Sequence, residues 1–293
     1  MGVDTELLYT IDSSYLIDQY KKQLNINIER CVHKVDQIQV WRCLATGYEF
    51  FYPLNIAGDG KFYEDLSSFD WYYMPWKWEH QIAKSLVKEN DKVLEIGCAD
   101  GNFLVNIKPI TPYLKGLELN EKALKKGLQS GLDVELKTIE EFAKTNANSF
   151  DFICTFQVVE HIADIKPFID ACLLTLKIGG KLLISVPNNN SFLGLNRNNI
   201  LNMPPHHMGR WNETSLQNLE KYFPMKMLNT YIEPLQAYHY ESYFKVASDI
   251  VFKKYGKIGR YIFKRFKGLF RPLFSQSEKL FKGFTIIGVY EKI

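Results

Sequence analysis

The sequence predicts an α/β protein with a mostly parallel sheet and helices on both faces. After Trp76, short apolar strands alternate with helical segments, and this alternation is typical of parallel sheets covered on both sides. The strands are apolar on both faces, as buried strands are. The expected strands are residues 92–96, 114–118, 133–136, 150–155, 181–186, 225–232 and 284–290.

Glycine, proline and helical spacing delimit these elements. The first strand stops at Gly97 and the fifth at Pro187. Between strands, residues 121–129 and 165–177 are predicted to be helical. In the second of these helices Ile165, Phe168, Ile169, Cys172 and Leu176 share one face, which should contact the sheet.

The chain divides into four predicted regions. Residues 1–75 do not join the alternation and should form an N-terminal cap, whereas residues 76–233 form the core. Residues 234–282 are expected to be a basic helical insertion, and residues 283–293 supply the last strand of the core sheet.

Composition indicates a globular protein with a local excess of positive charge. The 293 residues are 46% hydrophobic and carry a net charge of +3, which fits one large domain with additions. Residues 250–277 contain lysine and arginine but no acidic residue. The five scattered cysteines fit a reducing compartment. With no signal peptide or apolar run of membrane-spanning length, we expect a cytoplasmic protein.

The strongest local signal is VLEIGCADGNF, residues 93–103, in which a strand enters a glycine turn and then a helix. Gly97 permits the turn, and the small residues after it let a ligand approach the backbone. The dinucleotide fingerprint requires glycines at positions one, three and six, where this chain has Gly97, Ala99 and Asn102. Glu118 ends the second strand, where a carboxylate can accept both hydroxyls of a ribose. The pattern therefore favours a nucleoside ligand over NAD.

Four segments together resemble the successive motifs of class I S-adenosylmethionine-dependent methyltransferases. They are VLEIGCADGNF, GLELN, FDFICTFQVVEHIAD and LKIGGKLLISVPN, and they look most like the branch of ubiquinone-biosynthesis O-methyltransferases and sugar methyltransferases. The resemblance covers about residues 76–232. It implies a Rossmann-like seven-stranded sheet and S-adenosyl-L-methionine as the cofactor.

The resemblance also implies which residues bind that cofactor. The loop after the first strand corresponds to the one under the methionine end, and Glu118 to the ribose-binding acid. Ala99 departs from the usual glycine. The implied cofactor-binding residues are Glu95, Gly97, Cys98, Ala99, Gly101, Phe103, Glu118, Leu119, Thr138, Ile139, Phe156 and Gln157.

A weaker resemblance concerns residues 40–48, VWRCLATGY, which look like half of the zinc ribbon that precedes some sugar methyltransferases. Thr46 stands where a second cysteine belongs, and Cys31 has only His33 nearby in sequence. A closed zinc site needs four ligands. The cap is therefore predicted to be metal-free, and no metal site is expected.

Three histidines are candidates for a catalytic base, because a hydroxyl acceptor must lose a proton and histidine suits neutral pH. His161 follows the fourth strand, and His206 and His207 lie in a loop after the fifth. For His161 a helix-start role is an equal alternative, and one of the pair can be structural. Metal binding by the pair is conceivable, although no acid accompanies it in that loop.

Three further residues are expected at the acceptor side or in a lid. Tyr73 and Trp78 belong to an aromatic segment that precedes the core, and Arg210 follows the histidine pair. The alternative for the aromatic residues is simple anchoring of the cap. His33, His80 and His239 are expected to be ordinary surface or core histidines.

The basic segment is predicted to be an amphipathic helix. Ile258, Ile262 and Phe266 recur at helical spacing, opposite Arg260 and Lys264. Gly259 and Gly268 should weaken it and Pro272 should end it. Such a helix fits either a domain surface or peripheral membrane contact through residues 250–277. No nucleic-acid motif accompanies the charge.

Two functions are consistent with these observations. The first is O-methylation of a sugar, glycolipid or other small-molecule acceptor, with a histidine base. The second is a non-catalytic methyltransferase fold that binds a membrane or a partner, against which the intact glycine loop and Glu118 argue.

Overall fold

The computed structural model describes residues 4–69, 72, 74–196, 198–276 and 282–293, with residues 267–276 described by backbone alone. The strands are β1 Thr5–Asp12, β2 Gln37–Cys43, β3 Glu49–Tyr52, β4 Val93–Ile96, β5 Leu114–Leu117, β6 Val134–Glu135, β7 Phe150–Phe156, β8 Leu176–Pro187, β9 Gly209–Arg210, β10 Met225–Pro234 and β11 Lys282–Lys292. The helices are α1 Ser13–Leu24, α2 Gly60–Leu66, α3 Trp78–Leu86, α4 Asn102–Ile107, α5 Glu121–Gln129, α6 Ile139–Ala143, α7 Ile165–Thr175, α8 Phe192–Leu195, α9 Glu213–Gln217 and α10 Tyr240–Gln276.

The core is a seven-stranded sheet in the order β10-β11-β8-β7-β4-β5-β6. Strands β6, β5, β4, β7 and β8 pair in parallel, whereas β11 and β10 add in antiparallel fashion at one edge. The predicted α/β class with a mostly parallel seven-stranded sheet is therefore confirmed.

Helices cover both faces of this sheet, as strand β7 shows. Ile153 belongs to the cluster that contains Phe168 and Ile169 of α7. Its neighbour Phe152 belongs to the opposite cluster, with Leu104 of α4. Since successive side chains of a strand point to opposite faces, both sides of β7 are buried, which explains why the strands are apolar throughout.

The turn after β4 leaves little space around its backbone. Gly97 has a φ of +72°, and a Cβ added there would lie 2.5 Å from Cγ2 of Val158. Its N–H and that of Cys98 both donate to the carbonyl of Leu117, at 2.8 and 3.0 Å. The first glycine of the motif is therefore required both for its backbone conformation and for its lack of a side chain.

The N-terminal region forms a second sheet in the order β1-β2-β3-β9. Its core includes Tyr20 of α1 and Phe51 of β3. The segment between β8 and α9 returns to this region: Ile200, Met203 and Met208 join the same cluster, and β9 pairs with β3. Sequence analysis placed this segment wholly within the core, because strand spacing carries no information about which sheet a loop joins.

The insertion before the last strand is the long helix α10, whose regular backbone is interrupted at Gly256 (φ 65°, ψ −160°). The expected end at Pro272 was wrong, because the helix continues to Gln276. A proline removes one hydrogen bond and bends a helix more readily than it ends one. Among the described residues, no helix has both the length and the apolar character to cross a membrane.

Removal of the Tyr20 hydroxyl tests how the returning segment is held. Tyr20 is fully buried and donates to the carbonyl of Ile200 at 2.8 Å. We expect Tyr20→Phe to lower the free energy of unfolding by about 1–3 kcal/mol, because it leaves a buried carbonyl without that donor. Urea denaturation measures this loss. Tyr15→Phe, in the same helix but 40% exposed, should have little effect, and equal losses would contradict the assignment.

A matched pair of glycines tests the β4 turn. Gly97 and Gly131 both have positive φ, but a Cβ at Gly131 would meet nothing within 4 Å. Both alanine variants incur about 1–2 kcal/mol of left-handed strain. Gly97→Ala should lose about 1–3 kcal/mol more, because its methyl group overlaps Val158. Urea unfolding that gives the two variants the same stability would rule out the steric explanation.

Candidate active site

A cleft of about 1270 Å³ opens at the carboxyl ends of β4, β5 and β7. Ligand pockets typically have volumes of about 300–1,000 Å³, so this cleft is large enough for two ligands side by side. Its wall combines the core loops with Tyr63 and Tyr72 from the N-terminal region and with Lys245 and Val246 from α10.

At one end, the loop after β4 faces the carboxylate of Glu118. The Ala99 N–H donates to Oε2 of Glu118 at 2.7 Å, and the Asn120 N–H donates to Oε1 at 2.6 Å. These bonds fix the carboxylate while leaving lone pairs on both oxygens. Ala99 has a φ of 49°, which explains why glycine is usual there. Burial raises the pKa of Glu118. This geometry suits a pair of vicinal hydroxyls.

Next to Glu118 the wall becomes apolar and open. The side chain of Leu119 is 63% exposed, although it lies in the cleft. Thr138 caps α6 by accepting from the N–H of Glu141, and Ile139 follows it in the wall. An exposed leucine opposite a helix start offers a flat apolar contact that an aromatic base would cover.

A buried carboxyl group of β4 also lines the cleft. Glu95 is 4% exposed, and its Oε2 has no hydrogen-bond partner among the described residues. Burial, with the charge of Glu118 adding to it, holds the pKa of Glu95 well above its ordinary value. The loop residues that follow do not share the polar character of Glu95. Cys98 has a buried thiol, Gly101 is a glycine with φ of 81°, and Phe103 has a buried aromatic ring. Glu95 is therefore suited to a ligand that brings an amino or ammonium group.

The segment after β7 forms the adjacent wall. Phe156 packs edge-on against Phe103 and His80, with ring centroids 4.9 and 4.7 Å apart. Gln157 has a φ of 55°, and its side-chain amide lies 3.4 Å from Oε1 of Glu79. Glu79 is 1% exposed, and burial raises its pKa. This wall is aromatic and holds a buried acid.

The three candidate histidines meet in this cleft. His161 lies at the end of the turn Val159–His161, and its ring centroid is 4.6 Å from that of His206 and 5.0 Å from that of His207. The rings of His206 and His207 stack at 4.5 Å. Sequence analysis predicted each of them at the carboxyl edge of the sheet, but it did not predict that all three rings would be in contact.

Burial keeps these imidazoles neutral. It lowers the pKa of His161 to about 4 and the pKa values of His206 and His207 well below their usual range, where neighbouring histidines add to the effect. Beside them, burial raises the pKa of Glu160 to about 8. Oε2 of Glu160 has no hydrogen-bond partner among the described residues. The neutral imidazoles can therefore offer lone pairs to a ligand.

Two of the expected acceptor-side residues do not line the cleft. Arg210 is 7% exposed in β9, where Nε donates to the carbonyl of Asn202 at 3.3 Å and the guanidinium covers the ring of Phe51 at 4.8 Å. Trp78 begins α3 and packs against the hydrophobic cluster on that face. Both residues stabilise the walls. Tyr73 lies outside the described residues.

Several cleft residues were missed by sequence reasoning. Glu79, Glu160 and Tyr63 were not singled out, and His80 and His239 were expected to be ordinary histidines, yet all five line the cleft. No local spacing distinguishes these residues from structural ones. Only the adjacency of Glu160 to His161 could have pointed to an acid beside the histidines.

Another part of the cleft mixes apolar and polar side chains. Phe192, Leu193, Val246 and Phe284 line it, together with polar side chains such as Asn199. Part of this wall belongs to a hydrophobic cluster that joins α8, α10 and β11. This part of the cleft can hold a ligand that is part polar and part apolar.

Comparison with known proteins identifies the domain. The family described as "Methyltransferase domain" matches residues 71–226, which is more than half of the chain. The ubiquinone biosynthesis O-methyltransferase of Bordetella avium is 32% identical over 125 residues, which cover 40% of this chain and 51% of that protein. The human mitochondrial ubiquinone biosynthesis O-methyltransferase is 28% identical over 119 residues, covering 37% and 31%. The chain thus spans about half the length of the bacterial relative.

Solved structures to which the chain is similar include a SAM-dependent methyltransferase from Archaeoglobus fulgidus, at 19% identity and a TM-score of 0.47, covering 73% of this chain and 94% of that one. One from Thermotoga maritima has 19% identity and a TM-score of 0.48, covering 73% and 87%. The family match over residues 71–226 decides the assignment. The chain therefore belongs to the methyltransferase domain family. This confirms the prediction from its motifs that it is a class I S-adenosylmethionine-dependent methyltransferase.

Proposed function

We propose that this protein transfers the methyl group of S-adenosylmethionine to a hydroxyl of an amphiphilic small molecule. The observation that carries the proposal is the composite cleft, whose wall includes the Glu118 loop, the histidine cluster and a part that mixes apolar and polar side chains. Its volume accommodates cofactor and acceptor together.

Within this proposal the cofactor occupies the Glu118 end. Glu118 accepts the ribose hydroxyls, while Leu119, Thr138 and Ile139 contact the adenine. The loop of Gly97, Cys98, Ala99 and Gly101 lies under the methionine part, with Glu95 below it and Phe103, Phe156 and Gln157 beside the sulfonium. Oε2 of Glu95, which has no hydrogen-bond partner in the described part of the chain, supports this orientation, because the methionine part carries an ammonium group that a carboxylate can bind.

The residues of the cleft contribute to the reaction in two ways: they align the acceptor with the methyl group, and they assist removal of the acceptor's hydroxyl proton. When bound, S-adenosylmethionine supplies an electrophilic methyl group on a positively charged sulfur. The residues of the cleft hold the acceptor oxygen in line with that methyl group, which lowers the entropic part of the barrier. The aromatic wall formed by Phe103 and Phe156 excludes water from the reacting atoms.

The histidine cluster assists the loss of the acceptor proton. His161 is the first candidate for a base because it is half-buried, whereas His206 and His207 are buried. The His161 Nδ1 lies 2.6 Å from the carbonyl oxygen of His206, so Nδ1 carries the hydrogen and Nε2 is left as an acceptor.

The acceptor class is inferred from the mixed part of the cleft wall. Phe192, Leu193 and Phe284 suit an apolar body, and the polar side chains of the same wall suit a hydroxylated ring. The relatives act, by their names, in ubiquinone biosynthesis. A quinol-like ring with an apolar chain and a glycolipid both have this character, and they are the acceptors to test first.

Calorimetry with S-adenosylmethionine tests the cofactor assignment. Glu118→Gln keeps the size of the side chain but removes its charge, so we expect binding to weaken about 10–100-fold, in line with about 1.5–3 kcal/mol for hydrogen bonds to a charged group. Glu89→Gln, at an exposed position on the chain, is the control and should bind as the wild type does.

The outcomes of this titration separate the two functions. Equal affinity in Glu118→Gln and wild type would contradict the role of Glu118. A wild-type protein that does not bind S-adenosylmethionine at all would favour the alternative, a methyltransferase fold that serves as a binding module without catalysis.

We further propose peripheral contact between α10 and an anionic membrane surface. Ile258, Tyr261 and Ile262 are 76%, 71% and 51% exposed. Between residues 250 and 266 the helix carries six lysine and arginine residues, and it has no acidic residue there. An exposed apolar stripe flanked by cations is typical of helices that lie on anionic lipid. The helix also lines the cleft through Lys245 and Val246. Membrane contact through this helix would therefore bring the cleft close to a lipid-soluble acceptor.

Vesicle sedimentation tests this contact. We expect the protein to bind vesicles of phosphatidylcholine with about a third phosphatidylglycerol, and Ile258→Asp to lower the partition coefficient at least about tenfold, because burying an isoleucine contributes about 1.5–3 kcal/mol. The control is Ile178→Asp, since Ile178 is 71% exposed in a different element. Wild-type protein that stays in the supernatant, or equal losses in both variants, would refute the contact.

A further inference from the structure

The three histidines lie together, although a general base needs only one imidazole. One ring nitrogen of each of His161, His206 and His207 lies within 4.8 Å of a ring nitrogen of the other two. His161 comes from the turn after β7, and the other two come from the segment that returns to the N-terminal sheet. The cluster therefore exists only where the two halves of the structure meet.

Each Nδ1 of the cluster has an oxygen as its neighbour. His161 Nδ1 lies 2.6 Å from the carbonyl of His206, His206 Nδ1 lies 2.9 Å from the carbonyl of Leu201, and His207 Nδ1 lies 3.2 Å from Oδ1 of Asn202. Carbonyl oxygens only accept hydrogen bonds, so the hydrogen resides on Nδ1 in each ring. All three Nε2 atoms then carry lone pairs.

This second layer of hydrogen bonds is typical of metal-binding histidines, whose other ring nitrogen donates to an oxygen that fixes the ring. Moreover, Nε2 of His206, a residue that is 7% exposed, has no hydrogen-bond partner among the described residues. A buried polar atom left without a partner costs about 1–3 kcal/mol. A cation bound by the three Nε2 atoms would remove that cost.

We propose that His161, His206 and His207 bind a divalent transition-metal ion, with zinc as the representative cation. Nitrogen donors favour zinc and its neighbours over magnesium, which prefers oxygen. Zinc–nitrogen bonds of about 2.0–2.1 Å in a tetrahedron place the nitrogens about 3.3–3.4 Å apart. One ring nitrogen of each histidine lies within 4.8 Å of the others in the present structure, so the nitrogens must approach one another when the ion binds.

The carboxyl group of Glu160 lies beside this site. Its Oε1 lies 4.0 Å from Nε2 of His161, and the side chain is 1% exposed. Three protein ligands leave a fourth position for a small ligand, as in catalytic zinc sites. Sequence analysis expected no metal, because it considered the cap cysteines and found no acid near His206 and His207.

The cation would deepen the proposed function by taking the place of His161 as the group that promotes loss of the proton, and this step rests on methyl transfer to a hydroxyl. A hydroxyl oxygen at the fourth position would lose its proton to water more readily, because a divalent cation stabilises the resulting negative charge. That oxygen then uses a lone pair to bond the methyl carbon, while the carbon–sulfur pair returns to sulfur. The histidines would thus act together through the cation.

Metal binding is measured without any acceptor. Full-length protein is stripped with a chelator and then titrated with zinc chloride in a calorimeter, with elemental analysis of the dialysed product. We expect one zinc ion per chain with submicromolar affinity and a loss of affinity of at least about 100-fold in His206→Ala. His33→Ala is the control, because His33 is an exposed histidine of the N-terminal region, two residues after Cys31. It should bind as the wild type does.

Cobalt replaces zinc in a second measurement on the wild type, which does not depend on how the variants fold. Intense visible absorption bands of four-coordinate cobalt are expected, and they should persist in excess magnesium. Absence of these bands, lack of zinc binding, or full binding in His206→Ala would overturn the site. Titration of the stripped protein with S-adenosylmethionine separates the proposals: cofactor binding without zinc binding refutes only the metal site, and zinc binding without cofactor binding refutes only the proposed methyl transfer.

Discussion

The burial of β4 and β7 between two helical layers is the constraint on which the rest of the structure depends. Their side chains alternate between two hydrophobic clusters, so the strands cannot slide by one residue without exposing apolar groups. This fixed register brings the ends of β4, β5 and β7 to one edge. The glycine turn, Glu118 and the segment that contains His161 are thereby placed around a single cleft.

A second constraint acts through the segment that returns from the core to the N-terminal sheet. Ile200, Met203 and Met208 are buried in that region, while the N–H of Met208 donates to the carbonyl of Glu160 at 2.7 Å. The same segment is therefore attached to both parts of the protein. This attachment places His206 and His207 against His161 and packs the ring of Tyr63 on the cluster.

Two parts of the cleft differ in how they are built. The Glu118 end consists of backbone amides and short loops of the core, whose geometry depends on the sheet. Another part of the cleft wall is shared with α8 and α10, which lie outside the parallel strands. If the proposed function holds, acceptor preference can change through these helices while the Glu118 end stays intact, as expected when function lies in sites carried on a common fold.

The sequence by itself determined the seven core strands, the glycine turn and the acid that follows the second strand, because strand periodicity and turn chemistry are local properties of the chain. Tertiary structure decided that Arg210 and Trp78 stabilise walls, that Glu160 and His80 line the cleft, and how long α10 is. It also decided the histidine cluster: His161 and His206 are 45 residues apart in sequence. Their contact depends on which sheet the returning segment joins, and that choice is made by the burial of its apolar side chains rather than by any local spacing.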